Sequence, residues 1–422
     1  MTSRAAHRAA HLVIVVANLP VERDRRVIRQ CLALERAGYR VTVVCPRGET
    51  NAVPGCGRRV AVRPYRLPVA GAGVVSFALE FGWSLVAVSW HLLALLVRGR
   101  CDAVQVCNPP DVFWPLALLC RALGRRFVFD HHDLSPEVYA ARTATPNRHV
   151  LRVLRGFERL SLRCASAVIS TNDSYRRIAI QRAGVPPERI TVVRNGPAHS
   201  EVRAPAVPSD PYHRIVYLGV IGPQDGVAAA VLAAAELARR RGRDGWRLQI
   251  AGDGESLPDL RELVDAEGLG GLVEFTGWLD AAAVDRLLTG ATLALQPDPR
   301  TAHTEHSTMA KTIEYLARGV PVVAVDLAET RASAGDAATY LPDGTPEQLA
   351  GAIDDLLDDP DARTRMSRAG RRRYRDTLAW DHQERAYLGM WRRLLGPKAA
   401  PAPQPTKSLA DSSADAVQPS TP

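Results

Sequence analysis

The sequence predicts an α/β protein made of two doubly wound parallel-sheet domains in tandem. Three observations lead there. Apolar runs of strand length alternate with helical patterns almost throughout, a rhythm that implies parallel sheets covered by helices on both faces. The rhythm breaks once, at 197–213, in a stretch with four prolines and no periodicity, which reads as a linker. The chain has 422 residues, too many for one ordinary core.

The elements follow in order. "HLVIVVAN" is the first strand. A helix runs from Arg25 to Gly38, with Val27, Ile28, Cys31, Leu32 and Leu34 on its apolar side and Gly38 as its stop. "RVTVVC", "DAVQVC", "RFVFD", "SAVIS" and "ITVVRNG" are further strands, separated by helical segments such as Arg152 to Cys164. After the linker come "RIVYLGV", a helix from Gly226 to Arg241, "WRLQIAG", a helix to Glu267, "LVEFTG", "ATLALQP", a helix to Arg318 and "VPVVAVD". Residues 360–396 read as Arg-rich helices, and 397–422 as a disordered tail of Pro, Ala, Ser, Gln and Thr. The expected domains are 1–196 and 214–379, joined by 197–213 and followed by a helix at 380–396.

Val74 to Val97 is the exception to this rhythm, with 24 residues and one charge, Glu80. Its length would cross a bilayer. Strand-like runs of one apparent domain flank it, "YRVTVVC" before and "CDAVQVC" after, and a crossing would separate them. The expectation is an interfacial helix, partly packed on the sheet, with Trp83 and Trp90 near the headgroups. A buried helix and a spanning one are the alternatives.

The net charge is +9 and the pI near 9.4, which favours anionic partners. No basic stripe is interleaved with aromatics, so no nucleic-acid partner is expected. Seven cysteines without a C-x-x-C argue for a reducing compartment, with no disulfide frame or zinc ribbon. The opening "MTSRAAHRAAHLVIVVANLP" reads as a lead into a strand rather than a signal peptide.

Two stretches carry chemistry. In Leu295–Val325 a strand ends at Gln296, a polar loop follows, and Ser307 or Thr308 is placed to cap a helix reaching Arg318. Free N–H groups and the dipole at such a helix start favour a phosphate. Lys311, one turn in, adds positive charge, and Glu314 is placed to accept hydrogen bonds from a ribose. The plainer reading is an α/β loop with a surface Lys–Glu pair. The second stretch is "DHHDLSPE", Asp130 to Glu137. It leaves the carboxyl end of a parallel strand, where ligands gather. His131 and His132 point to opposite faces of an extended strand, so the pair is ill-suited to chelate one metal ion, and none is expected.

Eight stretches, in order, carry a resemblance. They are "DRRVIRQCLALERAGYRVTVVC", "DHHDLSPE", "VISTNDSYRR", "VVRNGP", "YLGVIGPQDGV", "IAGDG", "EFTGW" and "STMAKTIEYLARGVPVVAVDLAET". Through them the chain resembles the family 4 nucleotide-sugar glycosyltransferases, which have the GT-B fold of two Rossmann-like domains around a cleft. It is most similar to the branch acting in polysaccharide and glycolipid assembly. The resemblance implies retaining transfer of a sugar from a nucleotide-diphosphate sugar to a lipid-linked or saccharide acceptor. It also implies that the helix at 380–396 crosses back to the first domain. Glu314 matches the second Glu of the E-x7-E motif, which holds the ribose. Ser307 and Thr308 fall where backbone amides meet the diphosphate, and Gly219 and Gly222 fall in the loop beside the donor phosphates. His132, followed by Asp133, falls where a histidine contacts the donor sugar, with His131 as the alternative. Glu137 and Asp133 orient that histidine or hold the acceptor. Asp24, Arg25 and Arg26 follow the first strand on the acceptor side, though Asp24 is also a natural helix start.

The chain departs from the family pattern in two places. His306 stands where the first Glu of E-x7-E belongs, with Glu305 beside it, and Val220 and Asp225 stand where an Arg and a Lys are usual. Lys311 and Arg194 are the candidates to supply the missing cations. The expected setting is cytoplasmic, peripheral at the inner membrane face, with no cofactor beyond the donor. The competing readings are a nucleotide-sugar 2-epimerase and a non-catalytic assembly protein of the same fold.

Overall fold

A computed structural model describes residues 9–67, 74–143, 145–202 and 211–396. The expected tail, 397–422, and residues 203–210 of the expected linker lie outside the described residues. The chain up to 202 contains β1 (His11–Val15), α1 (Arg25–Arg36), β2 (Arg40–Pro46), β3 (Val60–Tyr65), α2 (Val74–Val97), β4 (Ala103–Cys107) and α3 (Trp114–Ala122). It continues with β5 (Arg126–His131), α4 (Ser135–Arg142), α5 (Arg148–Cys164), β6 (Ala167–Ser170), α6 (Asp173–Ala183) and β7 (Ile190–Val192).

From 213 onward come β8 (His213–Leu218), α7 (Val227–Arg241), β9 (Trp246–Ala251), α8 (Leu257–Ala266), β10 (Val273–Gly277), α9 (Ala281–Thr289) and β11 (Leu293–Gln296). Then follow α10 (Ala310–Arg318), β12 (Val322–Val325), α11 (Ala328–Ala334), β13 (Ala338–Leu341), α12 (Pro346–Asp358), α13 (Pro360–Arg373) and α14 (Trp380–Leu395).

The strands form two sheets, in the orders β3-β2-β1-β4-β5-β6-β7 and β10-β9-β8-β11-β12-β13. The described pairings are parallel. Both orders reverse direction once, beside the first strand of each series, and an open α/β sheet binds ligands at the carboxyl ends near such a reversal. Strands such as β11 and β12 are buried along their whole length. That is why they are unbroken apolar runs rather than alternating ones.

β3 and β13 had no expectation in the sequence. β3 carries Arg63 and Pro64 and is mostly only part-buried at the sheet edge. β13 is likewise part-buried at an edge. A half-buried strand lacks the apolar run that marks a central one.

By compactness the chain divides into Met1–Val104 with Leu388–Pro422, and Gln105–Tyr387. The division falls inside β4 and inside α14. In the first unit, Asp24 caps α1 by accepting from the Val27 N–H at 3.0 Å. α2 has the bounds expected for it. Val88, Leu92 and Leu95 are buried, while Leu79, Trp83, Val86, Trp90, Leu93 and Val97 are exposed. Its Leu79–Val97 stretch is long and apolar enough to cross a membrane by length and composition. All seven cysteines are free. In the second unit, Tyr387 of α14 donates to Gln105 Oε1 of β4 at 2.7 Å.

Candidate active site

Within Gln105–Tyr387, the loops after β4, β5, β6, β8 and β11 converge. Each leaves the carboxyl end of a parallel strand. Asn108, just past β4, ties down the loop after β5. Its Oδ1 accepts the backbone N–H groups of His132 at 2.8 Å and Asp133 at 3.1 Å. Its amide donates to the Asp133 carbonyl at 2.6 Å and to Asp111 Oδ1 at 3.1 Å. Complete burial pushes the Asp111 carboxyl up to about 6.

The two adjacent histidines part company, as strand geometry requires. His131 is fully buried, with its Nε2 3.2 Å from Glu158 Oε1. Its ring stacks on Phe129 at 5.8 Å and tilts against Tyr175 at 5.4 Å. It is a core histidine. His132 is partly open, and its Nδ1 lies 3.8 Å from the buried carboxylate of Asp130. Gln105 in turn donates to Asp130 Oδ2 at 3.3 Å. Cys107, Asp130 and His132 bring possible ligand atoms within 4.8 Å of one another. That donor set would suit a zinc-like ion.

Glu137 is buried, and Arg182 holds it at 2.6 and 3.1 Å. The same guanidinium holds Glu158 at 3.0 Å. Burial alone would raise the Glu158 carboxyl, but His131 and Arg182 together hold it below its usual value. This web favours a supporting role for Glu137 over direct contact with an acceptor.

The loop after β11 meets this rim through α6. The Asn172 amide donates to the His306 carbonyl at 2.8 Å and to Thr308 Oγ1 at 3.0 Å. The Tyr175 hydroxyl lies 3.0 Å from Ser307 Oγ. His303 is within electrostatic reach of Asp133, Arg142 and Glu137, and burial holds its imidazole below the ordinary value. Thus the loop after β6 and α6 bridge the segment carrying His131 and His132 to the segment carrying Thr308.

One expectation is corrected here. Neither Ser307 nor Thr308 caps α10; Met309 precedes it, and no side chain caps it. The Ser307 hydroxyl donates to the His303 carbonyl at 2.8 Å, and Thr308 donates to Glu329 Oε2 at 3.2 Å. Both hydroxyls are used in the loop. Lys311 therefore lies in the first turn of α10, not one turn in.

Lys311 is buried, 2.9 Å from Asp298 Oδ1 and 3.2 Å from the Tyr217 hydroxyl. Burial opposes its charge, yet Asp298, Tyr315 and Asp225 outweigh that, and its ammonium is held above its usual value. Arg194 binds Asp173 at 2.7 Å. Both candidate cations are thus matched by carboxylates. Glu314 accepts from Arg318 at 2.6 Å. Glu305 accepts from Arg300 at 2.7 Å and from the Ala328 N–H at 3.2 Å.

The loop after β8 has to be glycine-rich. A Cβ on Gly219 would lie 3.2 Å from Lys311 Cε. Gly226, at φ +69°, begins α7 with no side-chain cap, and a Cβ there would collide with the Pro297 carbonyl. Gly222 is in ordinary extended backbone, and its N–H donates to Asp225 Oδ2 at 3.1 Å. Burial raises the Asp225 carboxyl, while Lys311 and Arg142 pull it down. α4 packs beside this 223–225 turn. Arg142 is therefore a cation the sequence reading missed, in reach of the loop where the usual Arg and Lys are absent.

Asn108, Asp130, Asn172, Tyr175, Asp298 and Glu329 were also missed. Asn108, Asn172 and Asp298 stand within two residues of a strand's end, and their position after an apolar run was the available signal.

The comparisons with known proteins agree with this architecture. Residues 24–199 match the family described as Glycosyltransferase Family 4, and residues 200–373 match Glycosyl transferases group 1. The chain is a family 4-like glycosyltransferase of the GT-B fold. It is 29% identical over 336 residues to the alpha-D-kanosaminyltransferase of Streptomyces kanamyceticus, covering 74% of this chain and 83% of that one. It is 26% identical to the 2-deoxystreptamine glucosyltransferase of the same organism, covering 88% and 98%. HepE from Anabaena, solved in complex with UDP-glucose, shares the fold with a TM-score of 0.63 at 16% identity, covering 91% and 100%.

Proposed function

We propose that this enzyme moves a sugar from a nucleotide-diphosphate sugar to a hydroxylated acceptor with retention at the anomeric carbon. The observation that carries the reading is the bridge that α6 and the loop before it make between the segment of His132 and the segment of Thr308. Asn172, in the loop after β6, holds the Thr308 loop at 2.8 and 3.0 Å, Tyr175 of α6 touches both Ser307 and the His131 ring, and the 223–225 turn of the glycine loop packs beside α4. His132 holds a sugar hydroxyl and Asp133 supports it. Gly219, Gly222, Ser307 and Thr308 bring backbone close to the diphosphate. Arg142 supplies positive charge, Lys311 and Arg194 reach the diphosphate as donors shared with Asp298 and Asp173, and Glu314 takes the ribose. No side chain is assigned as nucleophile or general base. The departing diphosphate accepts the acceptor proton, so catalysis rests on positioning and electrostatics. Asp24 and Arg25 are assigned to the acceptor on the family resemblance alone.

For the acceptor, we favour a lipid-linked or saccharide molecule at a membrane face. The support is the exposed apolar row of α2, Leu79 to Val97, and the basic balance of the chain. Interfacial binding of this kind adds apolar burial to attraction for anionic lipid. A small soluble acceptor is the second reading. It is supported by the relatives named for kanosaminyl transfer and for 2-deoxystreptamine.

The test is a mass-spectrometric transfer assay with a panel of nucleotide-diphosphate sugars, soluble amino sugars and lipid-linked saccharides. The product linkage is read by proton coupling. Transfer that keeps the donor's anomeric configuration and persists in EDTA supports the reading. Conversion of donor without acceptor would replace it with epimerisation, and no transfer or donor binding at all would end it. Turnover that needs an added divalent ion would move the Cys107, Asp130 and His132 trio into the mechanism.

A further inference from the structure

At the amino ends of the second sheet's strands, opposite the donor gap, lies a cavity of about 830 Å³. That is the size of a small-molecule site. Its wall is one face of α13. Arg363, Thr364, Ser367, Arg368 and Arg371 all line it, at the three- and four-residue spacing of a single helical stripe. Among the described residues, none of these three arginines has an ion-pair partner. Arg363 is spent on the carbonyls of Leu356 and Leu357. Arg371 Nε is buried without a hydrogen-bond partner. Burial holds the Arg371 guanidinium below its usual value, with no carboxylate acting against it.

The charge has been given room. Gly319 ends α10 at φ +68°, and a Cβ there would collide with Arg371 Nε and Ser367 Oγ. His213 also lines the cavity and is held low, first by burial and then by Arg363 and Arg241. The partly desolvated Arg371 guanidinium, unpaired beside the Ser367 hydroxyl, gains from an anion that completes it, and exposed Arg368 on the same stripe adds charge to such an anion.

We propose that this cavity binds a phosphorylated small metabolite, its phosphate held by Arg368, Arg371 and the Ser367 and Thr364 hydroxyls, as an effector separate from the donor. A direct route joins the two sites. Arg318 also lines the cavity, and its guanidinium binds Asp285 at 2.9 Å and Glu314 at 2.6 Å. An anion that draws on Arg318 loosens its hold on Glu314. The coupling, though not the binding, rests on the proposed ribose role of Glu314.

The experiment is calorimetric titration of the full chain with inorganic pyrophosphate at physiological salt, with and without saturating UDP. The expected result is a pyrophosphate site that survives saturating UDP. The Arg368→Ala/Arg371→Ala variant should weaken it about tenfold or more, as loss of charge-assisted hydrogen bonds does, while UDP affinity in the absence of pyrophosphate is unchanged. Circular dichroism and melting confirm that the variant is folded. No UDP-resistant site, or one indifferent to the substitutions in a folded variant, overturns the proposal. If UDP does not bind, the donor reading fails by itself, and the variant's effect on pyrophosphate binding still decides this one. In the wild type, pyrophosphate should change UDP affinity severalfold, and Glu314→Gln should abolish the change. Equal UDP affinity with and without pyrophosphate removes the effector role.

Discussion

At the scale of single residues, the site depends on an asparagine that makes no chemistry of its own. Asn108 fixes the backbone of His132 and Asp133 with three hydrogen bonds and is itself held by a fourth to Asp111. Its role under this reading is positioning. Asn108→Ala should lower kcat about tenfold to a hundredfold with a small change in donor affinity, since misplacement by about an ångström has that effect. His132→Ala should lower kcat further. Steady-state kinetics beside equilibrium donor binding separate the two, and equal losses in binding would put Asn108 in the donor pocket instead. A second residue-scale prediction concerns Arg182, which neutralises the buried carboxylates of Glu137 and Glu158. Arg182→Leu leaves both without that partner and should cost about 3 kcal/mol at neutral pH. The folded Glu158 carboxyl is held low. Its contribution is present above the unfolded value and is lost as pH falls through the folded one. The gap in melting temperature between wild type and variant should therefore be widest near pH 7 to 8 and narrow in acid. "DHHDLSPE" was legible as a site, because polar residues past an apolar strand stand out. Which histidine faces the gap was legible only as alternation. The partner of the His131 imidazole comes from 27 positions away, and the His132 backbone is fixed by Asn108 from 24 positions away; no local pattern encodes that.

Among the elements, the start of α7 shows how backbone geometry builds a binding loop. Gly226 combines a left-handed φ of +69° with close approach to Pro297. Gly226→Ala should destabilise the protein by about 2 kcal/mol or more, from the left-handed cost and the clash together. Chemical denaturation reads this directly, and a neutral result would mean that the 219–226 loop is free to move away from the β11 loop. α10 shows the limit of sequence signals. Its length and Gly319 stop were plain, and Gly319 does cap it in the left-handed region. The N-terminal signal misled, because Ser307 and Thr308 satisfy the loop and α11 instead of the helix. α2 keeps its predicted bounds, and its exposed residues recur at spacings of four and three, Leu79, Trp83, Val86, Trp90, Leu93 and Val97. Trp83→Ser/Trp90→Ser should reduce co-sedimentation with anionic vesicles severalfold while leaving transfer to a soluble acceptor intact. Unchanged sedimentation would remove the membrane from the reading.

For the whole molecule, a chain of net charge +9 should bind anionic vesicles less as salt rises from about 0.05 to 0.5 M, because screening weakens its attraction to the lipid. Binding that persists undiminished would assign the contact to the apolar row alone. The sequence by itself determined the class of fold, the succession of its central strands along the chain and the family. These are written in local periodicity and in ordered motifs, which survive without knowledge of contacts. The tertiary structure alone decided that Lys311 is matched by Asp298 and Arg194 by Asp173, that Arg142 comes within reach of the glycine loop, and that α13 turns a row of arginines into a cavity. Each of these is a meeting of charges from distant parts of the chain. Which charges neutralise one another depends on distance in space and on burial, neither of which sequence spacing records.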